Sequence, residues 1–100
     1  MKDYLMLMHG DARTPERARD ALAWDCYLQA VRRTGHFLGG SSVGTGACFS
    51  RVDASKEVTA HIVGYLRVRA DSLDDARKFL LDNPVYEAGG TVEIRELPKS

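Results

Sequence analysis

The sequence predicts an α+β protein of the ferredoxin-like class, a sandwich in which an antiparallel sheet carries both of its helices on one face. The first observation is the order of the elements, β-α-β-β-β-α-β, which is two β-α-β halves separated by an additional hairpin. The second is the alternation over residues 58–70, where one face is wholly apolar or small and the other mixes polar side chains with Val63 and Tyr65. We expect the helices to cover the first of these faces.

The first third of the chain predicts a strand followed by a long helix. Residues 2–9 predict a strand whose apolar run Tyr4–Met8 lacks alternation, which is typical of a strand covered on both sides. Residues 14–16, Thr-Pro-Glu, indicate a helix start with a capping threonine and a proline in the first turn. The helix should continue to about Thr34, and Gly35 should end it in a left-handed conformation.

A glycine-rich hairpin and a long strand are predicted next. Residues 37–43 and 47–52 predict two strands joined by the glycine-containing turn at residues 44–46. Residues 53–56 predict a polar turn, after which residues 58–70 predict the long alternating strand.

The last third of the chain predicts a second helix and a closing strand. Ser72 and Asp75 are spaced as in a capping box, and the pair Asn83-Pro84 should end the helix. Residues 91–97 predict the last strand. The buried stripe of this helix should consist of Leu73, Ala76, Phe79 and Leu80.

Composition places residues 1–100 in one globular domain and argues against several classes of function. Hydrophobic residues make up 44% and charged residues 28%, which is the balance of a folded domain. Fourteen basic and fourteen acidic residues give a formal charge of zero, which argues against a nucleic-acid-binding or polybasic membrane-surface protein. No run approaches the roughly 20 apolar residues that cross a bilayer, and the N-terminus lacks a signal-peptide pattern. Two cysteines are too few for a redox or zinc motif, so we expect a cytoplasmic protein.

The predicted sheet has one face more than its helices can cover. We expect that open face to carry Val63 and Tyr65, together with Tyr4, Met6 and Met8. An apolar patch of this size is larger than monomers usually expose, and burying it contributes roughly 25 cal/mol per Å². The sequence therefore predicts a homodimer that packs two open faces together and encloses a cavity.

Several short segments, in their order and spacing, resemble those of the YCII-related domain proteins over nearly the whole chain. They are Tyr4–Gly10, Trp24 with Tyr27 and Leu28, Gly35 with Phe37–Gly40, Gly64-Tyr65, Asp71–Ala76, Asn83-Pro84 and Val92–Leu97. The resemblance implies a dimeric α/β barrel, and some members are small enzymes that use a histidine and an aspartate in an inter-subunit pocket without a cofactor. One branch carries Asp-Gly-Pro-Phe followed by Lys-Glu before the long strand. This chain has Asp53–Lys56 in that stretch and His61 close behind, so no role is carried over from that motif.

The most informative misfit is Asp25, which helical spacing places among Ala21, Leu22 and Leu28. A charged carboxylate on an apolar face costs several kcal/mol unless it is paired or solvated. The functional hypothesis makes Asp25 a general acid or base, or the group that orients a histidine. The alternative is an ion pair with an arginine or a cap on a backbone amide.

His61 and Tyr65 lie four residues apart on the mixed face of the long strand, and Arg67 extends the row. Together they offer a titratable nitrogen, a phenol donor and a fixed positive charge, which can bind a small acid or phenol and move a proton. The alternative is a hydrogen-bonded lining of the dimer interface.

His9 is the other candidate for moving a proton, because it ends the first strand, where a site on a sheet often opens. Asp11 could fix the tautomer of its imidazole, although a histidine also ends many strands simply at the boundary with water. Trp24 is a candidate for binding substrate, with core packing as the alternative. His9, His61 and Asp25 lack a metal-ligand spacing such as His-x-x-x-His, so we expect neither a metal nor another cofactor.

The sequence thus predicts a cofactor-independent enzyme of the lyase or isomerase kind that acts on a small anionic or phenolic substrate. His61 or His9 would move the proton, Asp25 would orient it, and Tyr65 and Arg67 would hold the substrate. The alternative is a non-catalytic small-ligand-binding or interaction module with the same dimeric fold.

Overall fold

The computed structural model describes residues 1–52 and 57–99 and contains one four-stranded antiparallel sheet. Its strands are β1 (Lys2–His9), β2 (Phe37–Ser42), β3 (Ile62–Ala70) and β4 (Val92–Leu97). The strand order is β2-β3-β1-β4, so β1 is central and pairs with both β3 and β4. This is the order of the ferredoxin-like fold, and the predicted fold class is confirmed.

Short helices join these strands. They are α1 (Pro15–Ala18), α2 (Ala21–Arg33), α3 (Leu73–Ala76), which a 3₁₀ turn at Arg77–Leu80 continues, and α4 (Pro84–Glu87). No helix within the described residues is long and apolar enough to span a membrane.

The predicted single helix over residues 14–34 is wrong, because the helical conformation is interrupted between α1 and α2. Asp20 has an extended backbone (φ −61°, ψ 112°), and its carboxylate accepts hydrogen bonds from the backbone N–H groups of Leu22 (3.0 Å) and Ala23 (3.2 Å). An aspartate in this position satisfies amides that a new helix leaves free, and so it begins α2. Gly35 ends α2 at φ +76°, as predicted.

The predicted strand over residues 47–52 is wrong, and the long strand begins at Ile62 rather than at residue 58. Residues 43–50 have no regular structure, and Phe49 and Val52 are 93% and 90% exposed. Their apolar side chains find no layer to pack against, so alternation alone does not produce a strand here. The predicted turn at residues 53–56 lies outside the described residues.

The predicted second helix divides into shorter elements. Ser72 caps α3 as predicted, since its Oγ accepts a hydrogen bond from the N–H of Asp75 (3.2 Å). Asn83 and Pro84 begin α4 rather than only ending a helix: the Asn83 side chain accepts from the N–H of Tyr86 (3.1 Å), and proline fits the first helical turn. Leu73, which we expected to be buried, is 51% exposed.

The core lies between the helices and one face of the sheet, and β1 contributes the side chains that we expected on the open face. Tyr4 and Met6 pair with Val68 and Leu66, and residues directly opposite each other in a sheet share a face. Tyr4, Met6 and Met8 are therefore buried beneath the helices, and the prediction that they lie on the open face is wrong. The fully or nearly buried core is Tyr4, Met6, Met8, Tyr27, Val31, Leu66, Val68, Ala70, Ala76 and Val85.

Candidate functional site

The face of the sheet opposite the helices, here called the open face, carries cross-strand rows of alternating character. In the middle row, Leu7 of β1 pairs with Tyr65 of β3 on one side and with Glu93 of β4 on the other. The next row consists of Arg67, Leu5 and Arg95. The open face thus combines apolar side chains with ionisable ones. Side chains in one row are close enough to act together.

A β-bulge brings two histidines together at the end of β1. The β1–β3 register shifts between Met8 and His9, so that His9 pairs with Ile62. The carbonyl oxygen of His61 accepts a hydrogen bond from the N–H of Gly10 (2.7 Å), and this bond holds His61, the residue before β3, against the end of β1. The rings of His9 and His61 meet edge to face with their centroids 4.9 Å apart. Bulges re-aim side chains in this way beside many active sites.

A carboxylate fixes the ring of His9. His9 Nε2 lies 3.0 Å from Glu93 Oε1, and Glu93 Oε2 accepts a hydrogen bond from Arg95 Nη1 (3.1 Å). The pKa of Glu93 lies below its usual value, mainly because of the hydrogen bond from His9 and next because of the one from Arg95. An ionised carboxylate can only accept, so Nε2 carries the proton of the neutral ring and Nδ1 is its basic nitrogen. The side chain of His9 is 19% exposed, so small molecules can reach it.

Asp11, the predicted orienter of His9, binds elsewhere. Its carboxylate accepts hydrogen bonds from the N–H (2.8 Å) and the hydroxyl (2.6 Å) of Thr91. These two bonds lower the pKa of Asp11 and hold the loop after β1 against the start of β4. Glu93, and not Asp11, is therefore placed to orient the ring of His9.

Asp25 is separated from both histidines. It lies on an exposed face of α2, on the helix side of the sheet, because the buried stripe of α2 is formed by Tyr27 and Val31 with Trp24 and Leu28 beside them. The expectation that Asp25 lies within an apolar stripe is wrong, since Leu22, counted as part of that stripe, is itself 73% exposed.

The predicted binding residues divide between the two sides of the sheet. Tyr65 and Arg67 lie on the open face, in the same rows as Glu93 and Arg95. Trp24 lies on the helix side, where its Nε1 donates to the carbonyl oxygen of Ala18 (2.8 Å) and its ring meets the edge of Tyr27. The structure therefore brings His9, His61, Tyr65 and Arg67 to one face and places Trp24 and Asp25 on the other.

Sequence reasoning missed Glu93 and Arg95. The signal for them is the alternation of the closing strand, in which residues 93 and 95 share a face that excludes the apolar Val92 and Ile94. Within the described residues, no group of three or more histidine, cysteine, aspartate or glutamate side chains converges as a metal site.

Comparison with known proteins and solved structures bears on the fold. No protein-family model matches the sequence, and no curated protein matches it significantly. The chain is similar in structure to the 5-chloro-2-hydroxyhydroquinone dehydrochlorinase TftG of Burkholderia phenoliruptrix AC1100, solved in complex with 2,5-dihydroxybenzoquinone. The TM-score is 0.61 at 17% sequence identity, over 98% of this chain and 95% of that one. A likeness at this identity shows a related fold.

Proposed function

We propose that this protein is a cofactor-independent enzyme that transfers a proton on a small anionic or phenolic substrate at the open face. The observation that carries the proposal is the pairing of His9 Nε2 with Glu93 Oε1 at 3.0 Å, with the ring of His61 4.9 Å from that of His9. A carboxylate that orients a histidine is the arrangement that general acid–base catalysis needs. Compared with the sequence hypothesis, Glu93 replaces Asp25 as the orienting group.

Each group has a defined role in the proposed reaction. His9 Nδ1 takes a proton from a carbon or hydroxyl of the substrate, and Glu93 stabilises the imidazolium that forms. His9 then returns the proton to another carbon in an isomerisation, or to a leaving group in an elimination, so the protein ends each cycle unchanged. The Arg67 guanidinium and the Tyr65 hydroxyl hold the anionic or phenolic oxygen of the substrate, and His61 is the second proton carrier.

A second copy of the chain would close this site. Leu5, Leu7 and Tyr65 are only partly covered in one copy, and Val63 is 40% exposed. Packing two open faces together removes this apolar surface from water and excludes solvent from the histidines, which strengthens their electrostatic interactions with a substrate. A neighbour of related fold whose structure holds a small quinone is consistent with a ligand site in such an assembly, as an analogy of fold.

The proposed location is the cytoplasm. Cys26 and Cys48 are both free and exposed. Exposed thiols persist unpaired in a reducing compartment, whereas secretory compartments favour their oxidation. The free cysteines therefore support an intracellular setting for the enzyme.

The test is proton exchange in deuterated water. A panel of phenols and enolisable small carboxylic acids is incubated with the protein, and loss of carbon-bound proton signals or formation of a new product is followed by NMR. We expect His9→Gln to lower the rate on any active compound by about 10²–10⁴-fold, and Glu93→Gln to lower it as well.

His36→Gln is the matched control. His36 lies beside the other end of β3, where its Nδ1 is 3.0 Å from the carbonyl oxygen of Arg69, away from the histidine pair. This variant should keep full activity. Binding of panel compounds with no turnover by the unmodified protein would instead favour the ligand-binding module, and equal losses in all three variants would refute the assigned roles.

A further inference from the structure

We propose that a cavity between the helices binds a free aromatic α-amino acid, a function separate from the proposed proton transfer. The cavity has a volume of about 500 Å³ and lies between α2 and the segment that runs from the 3₁₀ turn to α4. Ligand sites usually have volumes of about 300–1,000 Å³. None of its described lining residues belongs to a strand, so it shares no wall with the histidine pair on the open face.

Charged side chains gather at the end of this cavity where α4 lies beside α1. The carbonyl oxygen of Ala88, which follows α4, accepts hydrogen bonds from the N–H groups of Arg13 (3.0 Å) and Thr14 (3.2 Å), which precede α1. These bonds hold the two helices together. Arg17 of α1 and Glu87 of α4, which both line the cavity, are therefore brought to the same end of it.

Two charged groups of the cavity have no partner in the part of the chain that the structure describes. The N–H of Asp82 donates to Glu87 Oε2 (3.1 Å), so Asp82 also lies near this end. Neither the Arg17 guanidinium nor the Asp82 carboxylate makes an ion pair or a hydrogen bond with a described residue.

The backbone of Asp82 supports a role in binding. Its φ of +66° lies in a region that residues other than glycine rarely adopt, and residues in such conformations cluster at ligand sites. The free carboxylate of Asp82 matches an ammonium group, and the free guanidinium of Arg17 matches a carboxylate. An α-amino acid carries both of these groups on one carbon.

The remainder of the cavity is apolar and suits an aromatic side chain. Tyr27 and Val31 of α2 are buried in its wall, and Phe79 is half-buried. The Tyr27 hydroxyl donates a hydrogen bond to the Phe79 carbonyl oxygen, so this wall is already fixed and loses little side-chain entropy when a ligand packs on it. Ala23 and Ala30 line the α2 side with short side chains, which leaves the space open. An aromatic side chain buries more apolar surface in this space than an aliphatic one, which favours the aromatic amino acids.

The test measures protection of Cys26 from alkylation by iodoacetamide. Cys26 lines the cavity and Cys48 does not, whereas both thiols are free and exposed, so Cys48 is an internal reference. Peptide mass spectrometry gives the rate of modification at each cysteine. We expect L-phenylalanine to slow the modification of Cys26 saturably and to leave that of Cys48 unchanged. N-acetyl-L-phenylalanine, which lacks the ammonium group, and L-phenylalaninamide, which lacks the carboxylate, should each bind about two- to fivefold more weakly, the range of an exposed ion pair.

Two charge variants with matched controls assign the charged groups of the ligand. Arg17→Gln should weaken L-phenylalanine about two- to fivefold and leave L-phenylalaninamide unchanged. Asp82→Asn, which keeps a residue that tolerates positive φ, should weaken L-phenylalanine by a similar factor and leave N-acetyl-L-phenylalanine unchanged. Arg33→Gln and Asp25→Asn alter exposed charges of α2 that do not line the cavity, and both should leave the protection unchanged.

Two further variants keep the proposal decidable. Ala30→Phe, which fills the cavity from an exposed position of α2, should abolish the protection of Cys26. His9→Gln should leave it unchanged, so failure of the proposed enzyme and failure of this site are distinguishable. The proposal is overturned if L-phenylalanine does not slow the modification of Cys26, if both blocked analogues protect as well as L-phenylalanine, or if Ala30→Phe leaves the protection intact.

Discussion

Replacing Asp20 by alanine tests the break that separates α1 from α2. The Asp20 carboxylate accepts hydrogen bonds from two backbone amides of the first turn, at 3.0 and 3.2 Å, and these amides have no carbonyl partner inside the helix. Loss of such a cap costs about 1 kcal/mol, within a range of roughly 0.5–2. In a domain of this size that corresponds to a fall in Tm of about 4–8 °C.

Asp25→Ala is the matched variant, with the same substitution on the same helix. Asp25 is exposed and has no hydrogen bond or ion pair among the described residues, so its loss should change stability by less than about 0.5 kcal/mol. Urea unfolding at one fixed protein concentration measures both variants, and we expect the midpoint of Asp20→Ala alone to fall by about 0.3–1 M. Equal losses of stability in the two variants would refute the capping role of Asp20. A loss above about 2 kcal/mol for Asp25→Ala would show that Asp25 is a buried ion-pair partner after all.

Three other predictions concern the core, the open face and the histidine pair. Met6→Ala should lower the free energy of unfolding by about 2–5 kcal/mol in urea, because Met6 is fully buried; a loss below 1 kcal/mol contradicts that. In sedimentation we expect the unmodified protein at twice the monomer mass of 11.1 kDa and Leu7→Asp at the monomer mass; an unmodified protein that is monomeric at micromolar concentration contradicts the dimer. Because the pKa of Glu93 is lowered, its pairing with His9 stabilises the fold above the usual carboxyl pKa of 4.5, and this stabilisation is lost as the pH falls through the lower pKa of the folded state. The difference in stability between the parent and Glu93→Gln should therefore disappear in acid, and a difference that persists there contradicts the pairing.

Local chemistry predicted most elements of the fold but not their interruptions. The apolar run of β1, the Ser72 cap and the Gly35 stop each act on neighbouring residues, and all three are found as predicted. The break at Asp20 was missed because aspartate is tolerated in an exposed helix and is equally able to cap one. The strand at residues 47–52 was wrongly predicted because β structure depends on a partner strand and a covering layer, which periodicity does not reveal.

The candidate site was partly predictable. His9 was identified because it ends the first strand, and His61 because it lies four residues from Tyr65 on the mixed face of the predicted long strand. Their contact depends on a bulge between Met8 and His9 that the sequence does not mark. Glu93 was missed because it is 84 residues from His9 and meets it only through the β1–β4 register. Asp25 was overvalued because the predicted apolar stripe included Ala21 and Leu22, which are both exposed in the first turn of α2.

The central position of β1 has a consequence for how the protein is made. The strand Lys2–His9 leaves the ribosome long before its two partner strands, which are Ile62–Ala70 and Val92–Leu97. During that interval the run Tyr4–Met8 has neither neighbour available, and an apolar segment of high strand propensity in a nascent chain is prone to aggregate. We therefore expect folding to be slow and late, because sheet formation waits for contacts distant in sequence, and synthesis to depend on chaperones that shield the first strand.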